Sequence, residues 1–259
     1  MLNKIPEENF LVLRRNFESE LQKPSQLGRI FFVIIFSQAI LMALEFFIKS
    51  YSIYPNIDSL VTGHLIVSII LGLFCIIYAI PAMYMKSQRM QYFIFILAGQ
   101  NLFTVSMYLL TLIIISAEFE TDSETLLNFT SIMLTISIIL VILKVIIVLF
   151  QLRKGSYKKG SKKDRLRGRL ESNSLFSIIF SLGIGATFIV QYFIRNFEFN
   201  GIDILIIATI FTLSSLFVLS LLPEQAITLY CKIRFDSFNY EQNGRLKPVR
   251  DEEGNIIME

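Results

Sequence analysis

Residues 126–150 read LLNFTSIMLTISIILVILKVIIVLF, with Lys144 the single charge in the run. A helix rises 1.5 Å per residue, so about 20 apolar residues cross a ~30 Å hydrocarbon layer. The run is long enough, and it is apolar on every face, as a surface helix of a soluble protein is not. Working outward in both directions, runs of the same kind occupy 30–48, 60–84, 92–116, 175–194 and 204–222. The sequence is 54% hydrophobic with a mean hydropathy of +0.60, above the range of soluble domains. The fold class predicted is an all-α polytopic bundle of six transmembrane helices.

The connections on either side of 126–150 set the orientation. Upstream lies an acidic segment with Glu118, Glu120, Asp122 and Glu124. Downstream, residues 151–172 hold Arg153, Lys154, Lys158, Lys159, Lys162, Lys163, Arg165, Arg167 and Arg169. The alternation holds along the chain. Arg14, Arg15, Lys23 and Arg29 precede the first run, Lys86 and Arg89 follow the second, and Lys232 and Arg234 follow the sixth, whereas Lys49 and Arg195 stand almost alone in the others. Basic residues on every second connection are the positive-inside pattern, which places both termini in the cytoplasm. The domains expected are a cytosolic lead-in (1–29), a six-span domain (30–230) with the basic loop 151–172, and a polar cytosolic tail (231–259). The first run lacks a small-x-small cleavage site and is too long for a signal-peptide core, so it reads as a retained span. Tyr51, Tyr54 and Tyr192 are expected at the outer boundary and Tyr84, Tyr92 and Tyr230 at the inner one. Abundant Ile, Phe, Lys and Asn with short outer connections suggests a bacterial plasma membrane.

Phe10, Leu13, Phe17 and Leu21 recur at helical spacing in the lead-in. That helix either lies flat at the inner interface, its arginines near headgroups, or packs on the protein's own cytosolic face. Thr121 with Glu124 and, separately, Asp58 read as helix caps, which accounts for the outer acids without a cation site. Asn243-Gly244 and the Val249–Ile257 segment predict a turn and a small hairpin in the tail. Cys75 reads as a packing residue, and Cys231 as a packing residue or an acylation site. Ile34-Ile35-Phe36-Ser37 matches Ile178-Ile179-Phe180-Ser181, and Pro81 aligns with Pro223, which suggests three tandem parallel hairpins.

Polar residues within the runs are the candidate functional residues, because hydrocarbon penalises them. Gln38 and Glu45 lie in the first run, Gln100, Asn101, Thr104 and Thr111 in the third, and Thr130, Ser137 and Lys144 in the fourth. They form either helix–helix contacts or a narrow polar cavity. Glu45 is expected to reach the outer interface or to pair with Lys49, and Lys144 to snorkel to the cytoplasmic headgroups. Ser177, Ser181 and Gly185 form a small-residue face suited to helix packing. The basic loop reads as a contact for anionic lipid headgroups or a topology signal rather than for nucleic acid, since it lacks interleaved aromatics. His64, the single histidine, reads as an interfacial residue. No nucleophile motif, metal-ligand cluster or cofactor fingerprint is present, so neither catalysis nor a cofactor is expected. The leading expectation is a non-enzymatic protein working through protein contacts, as a membrane subunit of an export assembly or an immunity-type protein against a membrane-active toxin. The alternative is a small-solute transporter or an ABC-type permease subunit.

Overall fold

The structure is a computed structural model that describes residues 2, 5–118, 122–170, 202–250 and 256–258. A short 3-10 turn, Glu7–Phe10, leads into α1 (Leu11–Glu18). Then come α2 (Pro24–Ile48), α3 (Ile57–Ala79), α4 (Pro81–Lys86), α5 (Gln88–Gln100), a π-helical turn at Asn101–Val105 and α6 (Ser106–Glu118). The chain continues with α7 (Ser123–Arg153), α8 (Lys162–Leu170), α9 (Ile202–Arg234) and the strands β1 (Val249–Arg250) and β2 (Ile256–Met258). Among the described residues, five helices are long and apolar enough to cross a membrane: Pro24–Tyr51, Ile57–Ala79, Gln88–Ala117, Ser123–Arg153 and Ile204–Arg234. The run 175–194 lies outside the described residues, and with it Ser177, Ser181, Gly185 and one side of the internal repeat.

The helices turn large apolar side chains outward. Phe36 and Phe47 are each 70% exposed, and Phe217, Leu73 and Ile138 are likewise open. In water such a surface would drive aggregation, whereas against lipid tails it costs nothing. Three apolar clusters hold the bundle together inside. One at the acidic end joins Met42, Val61, Leu112, Ile113 and Leu126. A middle one joins Phe31, Ile34, Cys75, Ile94, Ala98 and Leu102. The third and largest lies at the basic end, where Phe10, Leu13 and Phe17 meet Tyr92, Leu152, Tyr157, Cys231, Phe238 and Tyr240.

That third cluster settles the lead-in. The helix packs on the basic end of the bundle rather than along a membrane surface, and Arg14 is fully buried. Its guanidinium donates to the carbonyls of Ser237 (3.1 Å) and Lys247 (2.9 Å) and to the Glu18 carboxylate (2.8 Å). Tyr240 returns a hydrogen bond from its hydroxyl to Phe17 O at 2.7 Å, and Asn9 donates to Leu152 O. The tail forms the expected hairpin, Val249 opposite Met258, after a turn with Gly244 at φ 80°. It docks through Val249 and Phe238, both buried.

Several expectations are corrected. The basic loop is folded: α7 runs on to Arg153, and Gly155 and Gly160 at φ 73° and 81° make the left-handed turns that return the chain into α8. Arg167 and Lys163 both reach Glu224 on α9, and Arg15 pairs with Asp164 at 2.8 Å, so these cations are drawn inward from the headgroup role. Gly168 admits the Arg15 guanidinium, which would crowd a Cβ there at 2.5 Å. Tyr54 and Tyr92 are buried packing residues instead of boundary anchors, and the Cys231 thiol, with no exposure, is closed to acylation. Asn56, at φ 57°, occupies the N-cap of α3, while Asp58 pairs with Lys49 at 2.7 Å. The two aligned prolines differ. Pro81 follows an extended Ile80 and starts α4, whereas Pro223 sits inside an unbroken α9.

Removing Arg14 should free the tail, because two carbonyls lose their buried donor and Glu18 loses its charge partner. For Arg14→Met we expect a loss of about 3 kcal/mol in docking, read as trypsin cleavage at Arg245 and Arg250 while the spanning helices stay protected. Unchanged protection of those sites would show that apolar packing alone holds the tail.

Candidate functional site

The polar residues of α2, α3 and the α5–α6 segment converge in one buried line. Glu45 has no exposed surface and its Oε2 lies 2.8 Å from His64 Nδ1. His64 Nε2 lies 3.5 Å from Ser106 Oγ, which accepts a hydrogen bond from Gln38 Nε2 at 3.0 Å. One helical turn deeper, Asn101 Nδ2 donates to Ser68 Oγ at 2.9 Å. Gln38 and Ser106 lie about ten to twelve residues from the acidic ends of their helices, or roughly 15–18 Å at 1.5 Å per residue. The line therefore runs from near that surface towards mid-bundle.

The π turn makes this convergence. Wide i→i+5 turns insert a residue and rotate the helix beyond it, and they recur at functional sites. Here both the N–H and the hydroxyl of Ser106 go to Asn101 O, five residues back. This registers Asn101 and Ser106 on the α2–α3 side. Gln100 and Thr104 fall on the other side, against α9. The Gln100 amide donates to Val218 O (3.2 Å) and to Gln225 Oε1 (3.3 Å), Thr104 donates to Gln100 Oε1, and Ser215 donates to Thr104 O. Thr111 meets Thr212 there at 3.4 Å. One predicted stripe is thus divided between two interfaces.

The fourth-run stripe does not join the site. Thr130 bonds Tyr54 Oη at 2.8 Å, Ser137 bonds its own helix at Met133 O, and Lys144 is exposed. Glu45 is the larger correction: it neither reaches the interface nor pairs with Lys49, which has taken Asp58, and His64 is 5% exposed rather than interfacial. Its signal was present in the sequence, since Glu45 and His64 lie at similar depth from the same end of consecutive helices. Ser68 and Ser106 carried none, because serines in spans usually bond their own helix.

Beside the line, between α2 and α3, opens an apolar crevice of about 420 Å³. Ile34, Met42, Leu65 and Cys75 line it, and Gln38, Ser68 and Asn101 give it one polar wall. Exposed Leu73 and Ile76 flank it, so it opens sideways among groups that face the surrounding medium. Along this line two acceptor atoms are buried with no partner among the described residues: Oε1 of Gln38, a residue that lines the crevice, and Glu45 Oε1. An unmet acceptor in an apolar setting costs about 1–3 kcal/mol, so both favour an incoming hydrogen-bond donor. Glu45, His64 and Ser106 stand in the order of a hydrolase relay. Ser106, however, is fully buried and within bonding distance of Gln38 and Asn101 O, an arrangement that fixes a side chain more than it frees a nucleophile. No group of three or more His, Cys, Asp or Glu side chains gathers as a metal site among the described residues.

The pair is a testable unit. Glu45→Leu and His64→Leu should each destabilise the protein by about 1–3 kcal/mol by stranding a buried polar partner, and the double variant should recover part of that loss. Thermal melts in mild detergent measure it, and strictly additive losses would show the two side chains to be uncoupled.

Comparison of this chain with models of protein families, with curated proteins and with solved structures finds no match in any of the three.

Proposed function

We propose that this protein is a small-solute transporter of a cell membrane, holding its solute in the crevice between α2 and α3. The observation that carries the proposal is Gln38, which lines a largely apolar space of about 420 Å³ and whose Oε1 is a buried acceptor with no partner. Such a space has the size of small-molecule sites, which pair apolar linings with a few placed polar groups. The solute is a largely apolar molecule with a hydrogen-bond donor, such as an alkyl amine or alcohol. Asn101 and Ser68 border the donor's position.

In this reading the chain spans the membrane six times with both ends in the cytosol. The end of α8 lies beside the later turns of α9 through Arg167 and Glu224, at the basic end of the bundle, and the first turns of α9 pack near Ile115 and Phe129 at the opposite end. Residues 171–201 join those two ends, which supports the sixth span. The exposed Arg153, Lys154, Lys162 and Arg165 face anionic headgroups of a bacterial plasma membrane. The alternative, action through protein contacts, keeps those four cations as its surface. The tail that would serve it is engaged by the chain itself.

The test uses purified full-length protein and a series of medium-chain alkyl amines and alcohols. A ligand stabilises by RT ln(1 + [L]/Kd), so a site occupied at 100 times Kd gives about 2.7 kcal/mol. We expect at least one member to raise the melting temperature of the wild type and not of Gln38→Leu, and to be taken up by proteoliposomes. If no member shifts the melt, or the shift survives Gln38→Leu, the crevice is not the solute site.

A further inference from the structure

At the basic end, away from the crevice, the turn between α4 and α5 and the docked tail enclose a second, polar cleft of about 390 Å³. Lys86, Ser87 and Arg89 border it on one side, and Asp236, Asn239 and Lys247 on the other. Three cations thus face one carboxylate. Asp236 stands 3.8 Å from Arg89 and 3.6 Å from Lys247, and its side chain is largely exposed, so its neutralisation of them is loose. The first turn of α5 borders the same space, with Ser87 at its N-cap making no side-chain capping bond. Helix N-termini favour negative charge through their unpaired N–H groups.

One buried side chain adds independent weight. Asn239, 7% exposed, has its amide orientation fixed, because Nδ2 donates to Lys232 O (2.9 Å) and Phe235 O (3.2 Å). Its Oδ1 is left buried without a partner, and Asn239 is one of the residues that line the cleft. The cleft therefore asks for negative charge and, at one defined point, for a hydrogen-bond donor.

We propose that the cleft binds a phosphate ester carrying a free hydroxyl. The phosphate sits among Lys86, Arg89, Lys247 and the first turn of α5, and the hydroxyl donates to Asn239 Oδ1. Arginine and lysine with backbone N–H groups are the usual phosphate partners. A bare anion would leave Asn239 unmet, and a neutral polyol would leave the cations unmet. Two sources present this chemistry: the headgroup of a phosphatidylglycerol-type lipid, and a soluble polyol phosphate.

The experiment uses the full-length protein in phosphatidylcholine nanodiscs. Glycerol 3-phosphate and inorganic phosphate are titrated while melting is followed, and retention of phosphatidylglycerol added to the discs is read by native mass spectrometry. Lys86→Gln/Lys247→Gln removes two cleft charges from exposed or loosely paired positions. Lys23→Gln/Lys49→Gln removes two from surface pairs outside the cleft and the basic loop. We expect glycerol 3-phosphate, phosphatidylglycerol or both to bind the wild type, at least tenfold more weakly the cleft variant, and the control variant as the wild type. Binding of the soluble ester alone assigns a cytosolic ligand, and retention of the lipid alone assigns a headgroup. The proposal is overturned if neither binds, if both variants lose binding equally, or if inorganic phosphate binds as tightly as glycerol 3-phosphate. None of these outcomes depends on the crevice between α2 and α3.

Discussion

Polar groups taken out of water must find partners within the protein, and in a hydrocarbon surrounding no solvent can step in for a missing one. That constraint explains more of this structure than apolar packing does. Lipid-facing surfaces are interchangeable along the five long helices, so hydrophobicity says little about which helix lies beside which. The polar side chains decide it. Glu45 with His64 and Asn101 with Ser68 fix α3 against α2 and the α5–α6 segment. Gln100 with Gln225, and Ser215 with Thr104 O, fix α9 on the opposite side. Gln91, fully buried, reaches both Pro24 O and Tyr78 O and so ties the start of α2 to the end of α3.

Much of the architecture is legible in composition because the bilayer sets helix length. Five of the six apolar runs coincide with long helices of the structure. Their ends were less readable. The second run stops at Ala79 because Pro81 forces Ile80 out of helical geometry, while the last continues past Pro223 to Arg234. Inside a packed helix the group freed by a proline finds other partners, and nothing in the local sequence tells the two cases apart.

The site was half visible. Gln38, Glu45 and Asn101 stand out as polar residues in apolar surroundings, and the structure brings all three into one region. What could not be read was the company they keep. A helical wheel with a uniform 3.6-residue period puts Gln100, Asn101 and Thr104 on neighbouring faces. The π turn at Asn101–Val105 breaks that period at the point where it matters. Ser106 enters the site through that geometry, whereas His64 comes from α3 at the depth of Glu45. At the basic end the same limit applies. Arg14, Lys163 and Arg167 look like surface charges one residue at a time, and only the return of the tail and of α8 turns them inward.

The clasp of α1 by the tail has a consequence in time. Arg14 leaves the ribosome 223 residues ahead of Ser237 and 233 ahead of Lys247, its carbonyl partners. At 5–20 residues per second, tens of seconds pass before those partners exist. During that interval Tyr92, Leu152 and Tyr157 can already cover part of Phe10, Leu13 and Phe17, but the side that Phe238 and Tyr240 close stays open. The spanning helices can insert one by one as they emerge, but the basic end closes only when residues 237–247 arrive. A product truncated before residue 237 leaves α1 unclasped.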